Sequence, residues 1–330
     1  MDRVKLGLSG IEVSRICLGC MSFGKAGTMH DWTLDSAQSA EMVGRALDLG
    51  INFFDTANVY SAGTSEEYLG AALKSVPRDK VVIGTKVYFN EGALSREAIS
   101  REIEGSLRRL GTDYIDLYII HRYDYETPIA ETMEALHKLV ESGKVRALGA
   151  SAMYGYQFYE MQNVARENGW TPFSTMQNHY NLLYREDERE LIPICERTNV
   201  SRTPYSPLAA GRLSRKEWTT NTKRSQTDKI AVGKYDTTEE QDKTIVQRVF
   251  ELSEKYDVTM TQIALAWHFA KGVAAPIIGA TKNEYLADAA AAVDLKLTRE
   301  DVDYLEELYV PHKIMGAVTK NPVWNSVLNK

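Results

Sequence analysis

Cysteine is scarce in this chain: three thiols in 330 residues, Cys17, Cys20 and Cys195, give no basis for a disulfide framework. Cys17 and Cys20 spell C-x-x-C, but they fall in Arg15–Met21, an expected strand, where positions i and i+3 point to opposite faces. No second such pair accompanies them, so both read as small buried apolar residues. Long hydrophobic runs are also missing, none approaching the ~18 residues of a membrane span. The opening Met1–Leu8 stretch is charged and lacks the apolar core of a signal peptide, so a cytoplasmic location is expected. Basic excess is absent too: 39 Lys and Arg stand against 45 Asp and Glu, for a net charge of −6. That argues against a constitutive partner in nucleic acid or anionic membrane, because neutralising phosphates needs cations in excess or in a dense patch. No cluster of residues has the spacing of a metal site.

What is present is a rhythm. Hydrophobic residues make up 44% of the chain, enough for a large core. Val4–Leu8 and Ile11–Val13 flank Ser9-Gly10 and predict a small hairpin. Short apolar runs then recur at Ile16–Met21, Asn52–Ala57, Val81–Lys86, Asp116–His121, Val145–Ser151, Phe173–Asn178, Val200–Ser206 and Pro276–Ala280. Helical spacing fills the gaps at Ser36–Leu49, Arg96–Leu110, Ile129–Val140, Tyr156–Glu167, Asp187–Thr198, Gln241–Tyr256 and Asn283–Ala292. Such alternation demands a parallel sheet with helical crossovers. Without a linker to divide the units, and without G-x-G-x-x-G after the first strand, a single α/β domain over 1–330, a (β/α)₈ TIM barrel, is expected rather than a doubly wound sheet. Pro207–Thr238 breaks the rhythm; a long aperiodic connection of this kind is usually functional, and after strand seven it belongs to the face where barrel active sites form. Thr298–Tyr309 predicts an extra C-terminal helix.

Chemistry-bearing residues of a barrel sit at the C-terminal ends of strands. Strand two ends in Asp55, with Tyr60 soon after; strand three ends in Lys86 and strand four in His121. Singly, each has a plain explanation: a turn-forming Asp, a solvated Lys, one of 18 tyrosines, a structural histidine. Four different ionisable types on adjacent strand ends make a coherent set. An ammonium at Lys86 favours the phenolate and so is expected to lower the pKa of Tyr60, with Asp55 balancing the charge. Tyr60 then serves as general acid toward an oxygen that gains negative charge, while His121 donates a hydrogen bond to the same oxygen. Nothing in the set is an activated nucleophile.

The stretches Gly50–Tyr60, Gly84-Thr85-Lys86, Tyr114–His121, Leu148–Ser151, Met176–Asn181, Pro204–Leu208 and Pro276–Thr281 resemble, in order, the motifs of the aldo-keto reductase superfamily. Gly19–Gly24 and Tyr184-Arg185-Glu186 resemble its bacterial and potassium-channel-β-like branch. The resemblance implies NADPH-dependent reduction of a small-molecule aldehyde or ketone, with Asp55, Tyr60, Lys86 and His121 as the catalytic tetrad. It implies that Tyr205 stacks on the nicotinamide, although a packing role is open, and that Ser151 and Gln177 hold the carboxamide. Cys20, Met21 and Asp55 belong to the same cofactor surface. Ser206, Leu208 and Gly211 begin a connection, 207–238, that folds over the pyrophosphate. Lys216 and Arg224 within it are either phosphate partners or ordinary solvated cations. Gly279, Thr281 and Lys282 lie at a helix start suited to the 2′-phosphate. Tyr285 and Asp288 follow where the family usually has glutamine and glutamate, and Ala289 and Ala152 where asparagine is frequent. Arg202, a charge inside strand seven, needs a partner or a path to solvent. Pocket-lining candidates are Met29–Trp32, Tyr88-Phe89-Asn90 and Arg122–Tyr125. A rival reading is a non-catalytic NADPH-binding regulatory subunit, as the channel β subunits are; those carry asparagine where this chain has His121, and no inactivating segment precedes the barrel here, so an enzyme is expected.

Overall fold

Apolar residues recur at alternate positions in most of the predicted strands, and the computed structural model shows what that pattern builds. It describes residues 1–28, 30–218, 234–235 and 238–312. Eight parallel strands form one sheet: β3 (Cys17–Gly19), β4 (Phe53–Asp55), β5 (Val82–Val87), β6 (Ile115–Ile120), β7 (Val145–Ser151), β8 (Phe173–Gln177), β9 (Ser201–Arg202) and β10 (Ile277–Ile278). Each corresponds to one of the predicted runs. The ladder runs in sequence order from β3 to β9, and β10 pairs back onto β3. Backbone bonds from Ala274 N to Arg202 O and from Ile277 N to Pro204 O, both 3.0 Å, link the last two segments and close the ring. β9 and β10 are shorter than the sequence predicts because Pro204 and Pro276 lack the N–H that a regular ladder needs. The fold is the (β/α)₈ barrel of the sequence reading.

The hairpin, β1 (Arg3–Lys5) paired antiparallel with β2 (Glu12–Ser14), plugs the bottom of the barrel. Its Leu6, Ile11 and Val13 share one apolar cluster with the inward residues Cys17, Phe53, Val82, Leu117, Ile119, Ala147, Ala275 and Ile277. Gly7 makes this contact possible: at φ +49° a Cβ there would lie 2.4 Å from the Ser174 carbonyl oxygen. Cys17 lies in this inner cluster and Cys20 in the outer one, so the two thiols do face opposite ways, and burial pushes both well above the ordinary thiol pKa. Neither is poised for redox work.

The outer ring contains α1 (Ser36–Asp48), α2 (Thr64–Leu73), α3 (Arg96–Leu110), α4 (Ile129–Glu141), α5 (Gly155–Glu167), α6 (Leu191–Arg197), α7 (Glu239–Tyr256), α8 (Met260–Ala270) and α9 (Asn283–Ala291). α10 (Arg299–Glu306) follows as the predicted extra helix. Two helices carry no clear amphipathic signal in the sequence. α2 has Gly70 at its centre, where it packs so closely on α3 that a Cβ would sit 2.5 Å from the Leu110 carbonyl oxygen. α8 is buried on nearly every side, so it has no polar stripe to reveal its period. Arg202 finds its partners at that helix: its guanidinium caps the Lys271 carbonyl at 2.6 Å, where a cation complements the helix dipole, and pairs with exposed Glu196 at 3.2 Å. Among the described residues no helix is long and apolar enough to cross a membrane.

Candidate active site

The two-residue repeat of a strand carries the inward face upward from the plug to the mouth. Phe53 is followed by Asp55, Val82 by Gly84 and Lys86, Leu117 and Ile119 by His121, and Ala147 and Gly149 by Ser151. Alternation alone therefore brings Asp55, Lys86, His121, Ser151 and Gln177 to one rim. Register keeps room for them: Asp55 is flanked in the ladder by Gly19 on one side and Gly84 on the other.

Lys86 is fully buried, and its ammonium is held by three oxygens. It donates to Asp55 Oδ1 at 2.5 Å, to the Thr56 carbonyl at 2.7 Å and to Tyr60 Oη at 3.3 Å. Gln177 Nε2 donates to the other carboxylate oxygen, Asp55 Oδ2, at 2.9 Å. Burial alone would depress the lysine, yet Asp55 and then Tyr60 carry its pKa above the ordinary value, so it is a cation throughout the neutral range. Lys86 does pull the Tyr60 pKa down, as expected, but the net shift is corrected by the structure. Burial of the phenol raises it more than the ammonium beneath it lowers it, and the net shift is upward. Tyr60 is a fully protonated phenol at neutral pH.

Tyr60 opens a short turn, Tyr60–Gly63, in which Ser61 and Ala62 adopt left-handed φ of 47° and 55°. Non-glycine residues in that region cost of order 1 kcal/mol or more each, so the surrounding packing must impose the conformation. Thr64 Oγ1 donates to the Ser61 carbonyl at 2.7 Å, and Ser65 anchors the start of α2 to the Cys20 carbonyl at 2.7 Å. The turn fixes the phenol over the Lys86 ammonium, 4.8 Å from its ring centre. Across the mouth, the His121 ring meets Tyr60 edge-on at 5.7 Å and Phe89 at 5.0 Å. Its pKa lies well below the ordinary imidazole value, first through burial and then through repulsion by Lys86 and Arg122. His121 is thus neutral, and its buried Nδ1 has no hydrogen-bond partner among the described residues.

Other predicted positions lie on the segments that follow β3, β9 and β10. Tyr205 stacks on His179 at 5.3 Å, and His179 stacks in turn on Tyr184 at 4.2 Å. Beyond it Ser206, Ala209, Ala210 and Gly211 all take positive φ, between 48° and 92°. Cys20 and Met21 lie in the short turn that follows β3. After β10, Gly279 faces open space, with nothing within 4 Å of where a Cβ would project. Thr281 precedes Lys282, the N-cap of α9, which makes no side-chain capping bond. Lys282 is exposed and near Glu284 at 3.5 Å. Tyr285 is 49% exposed beside it. Asp288, by contrast, already accepts bonds from Thr259 and Gln262. Lys216 lies over the Phe250 ring of α7 at 4.2 Å. Arg224 and Met29, and the covering connection at 219–233 and 236–237, fall outside the described residues.

Sequence reasoning gave no role to Tyr235 or Arg212. Tyr235 is buried, with its hydroxyl 2.7 Å from His179 Nε2 and bonded by Asn181 Nδ2 at 3.1 Å, and the Arg212 guanidinium lies 5.0 Å from its ring centre. It pins the end of the long connection behind Tyr205. Its surroundings in the sequence are aperiodic and offered no signal.

The Aldo/keto reductase family model matches residues 15–310. The chain belongs to this family. It is 44% identical to a provisionally named aryl-alcohol dehydrogenase of Schizosaccharomyces pombe, over 95% of this chain and 97% of that protein. It is 42% identical to versiconal hemiacetal acetate reductase of Aspergillus parasiticus, over 95% and 98% of the two chains. An aldo-keto reductase of Fusarium vanettenii is 41% identical over 96% of this chain and 93% of its own length. This aldo/keto reductase is accordingly an oxidoreductase with a small-molecule carbonyl substrate.

Proposed function

We propose that the enzyme reduces an aldehyde or ketone to an alcohol with NADPH, Tyr60 acting as the general acid. The observation that carries this reading is the Tyr60 hydroxyl, 3.3 Å from a fully buried ammonium, on a ring that a neutral imidazole meets edge-on. The mouth fits a dinucleotide. The turn from Leu208 into left-handed Ala209, Ala210 and Gly211 makes the kind of backbone concavity that accepts phosphate oxygens. The open surface over Gly279 and the uncapped start of α9 offer a second anion position. The Tyr205 ring, stacked on His179, carries the Lys234 ammonium 4.9 Å from its centre, and Ser151 and Gln177 are ladder partners on the inner wall. NADPH, when bound, supplies the hydride.

The chain's own residues supply the rest. Tyr60 gives its proton to the carbonyl oxygen as negative charge develops there. Lys86 stabilises the phenolate left behind, and Asp55, tied down by Gln177, holds Lys86 in place. A neutral His121 retains an N–H for the same oxygen and orients the carbonyl. Phe89, edge-on to His121, and Tyr88 against it give the mouth an aromatic side. A cytoplasmic setting, where NADPH is abundant, suits this chemistry. Consumption of NADPH with an activated aromatic aldehyde tests the proposal; absence of cofactor-dependent turnover across aromatic aldehydes and ketones would overturn it.

Preference for NADPH over NADH rests on the 2′-phosphate. Thr281 and Lys282 at the start of α9 are the hydroxyl and cationic donors that follow Gly279 in the chain, and Glu284 only loosely engages the lysine. A charge-assisted bond of this kind contributes ~1.5–3 kcal/mol, so Lys282→Ala is expected to weaken NADPH binding roughly ten- to a hundredfold. NADH binding should hardly change. Equal weakening of both, measured by fluorescence titration, would instead place Lys282 on the pyrophosphate or in the fold.

A further inference from the structure

Arg122 immediately follows His121, and its guanidinium is committed to nothing but a ring. It lies 4.6 Å over the Phe89 ring centre, half-buried, and among the described residues no carboxylate is within ion-pair distance of it. The acids on its own loop do not serve it. Asp124 accepts from Leu94 N, Glu126 N and Thr127 Oγ1, which fixes the turn, and Glu126 is exposed. The charge of Arg122 is nonetheless felt at His121, at Tyr88 and at Tyr205, which follow β6, β5 and β9. The cation lies over a ring that itself meets His121 edge-on at the end of β6.

A half-buried guanidinium next to a neutral catalytic imidazole is an unusual use of charge, since most such groups in this chain are paired, as Arg78 is with Asp116 and Arg109 with Glu66. Its planar fork matches a carboxylate in two parallel hydrogen bonds, and Phe89 lies beneath it. The same ring faces His121 edge-on and provides a flat apolar wall for an aryl group beside the proton donor. We propose that Arg122 selects, among the carbonyl substrates of the reductase site on which this inference rests, aromatic aldehydes bearing a carboxylate.

The test compares 4-formylbenzoate with its neutral methyl ester. The wild-type enzyme is expected to favour the carboxylate in kcat/KM. In Arg122→Gln the acid-to-ester ratio is expected to fall roughly ten- to a hundredfold, while Arg122→Lys, which keeps the charge without the fork, retains part of the preference. A ratio that stays at the wild-type value in Arg122→Gln, including an equal loss on both substrates, overturns the proposal, as does a wild-type preference for the ester. Calorimetric titration of 4-formylbenzoate into the protein with NADP⁺, where no turnover occurs, separates the two claims. Binding lost in Arg122→Gln supports the anion site even if reduction fails; no difference between the proteins removes it even if reduction proceeds.

Discussion

Tyr60→Phe is expected to lower kcat for carbonyl reduction by roughly 10²–10⁴-fold, the usual contribution of a positioned general acid. The substitution removes one oxygen from a buried ring whose hydroxyl, among the described residues, is bonded by the Lys86 ammonium alone, at 3.3 Å. The fold should therefore persist, and NADPH should still titrate the protein fluorescence. The pH profile provides an independent check. Reduction needs the protonated phenol, and burial carries its pKa above the ordinary ~10 despite the pull of Lys86. Activity limited by Tyr60 should hold level through the neutral range and fall only as pH rises past about 10. His121, depressed well below its ordinary value, stays neutral throughout and adds no step near pH 6–7. Undiminished turnover in Tyr60→Phe would take the proton-donor role from this residue.

The sequence carried the architecture because a barrel is made of local units. Most strands are short apolar runs between helical periods, and the inward alternation that fills the barrel with Phe53, Leu117 and Ile119 continues to Asp55, Lys86 and His121 at the rim. Strand ends were legible for that reason. Elements whose burial is complete or whose spacing is interrupted were not: α8 has no polar face, and α2 is broken by a glycine needed for helix contact. The sign of the Tyr60 shift was not legible either. It depends on the balance between desolvation and one ammonium, and only the depth of the phenol decides that balance. Tyr235 lay beyond reach because its contacts, His179 and Asn181, are more than fifty residues away in a segment without periodicity.

The buried Asp55–Lys86 pair should dominate the stability of the mouth as well as its chemistry. Asp55→Asn removes the only carboxylate within ion-pair distance of the Lys86 ammonium among the described residues, and the ammonium has no exposure to water. Leaving a buried charge unpaired costs about 3–5 kcal/mol. The sign of the accompanying pH effect follows from the lysine. In the wild type its folded pKa is raised above the unfolded ~10.4, so its contribution is fully present below that pH and is lost only as pH climbs through the folded value. In Asp55→Asn the burial that opposes the charge is no longer answered, and the folded pKa drops below the unfolded one. Stability of the variant should then rise with pH over the alkaline range up to about 10, where the wild type stays level. Lys86→Met in the same background removes the stranded ammonium and should recover most of the loss, although the enzyme remains inactive. Urea denaturation of wild type, single variant and double variant at neutral and alkaline pH reads all three expectations. A single variant as stable as the wild type, or a double variant less stable than the single, would mean that Lys86 does not depend on Asp55 for its charge and that the pair is not what holds the ammonium beneath Tyr60.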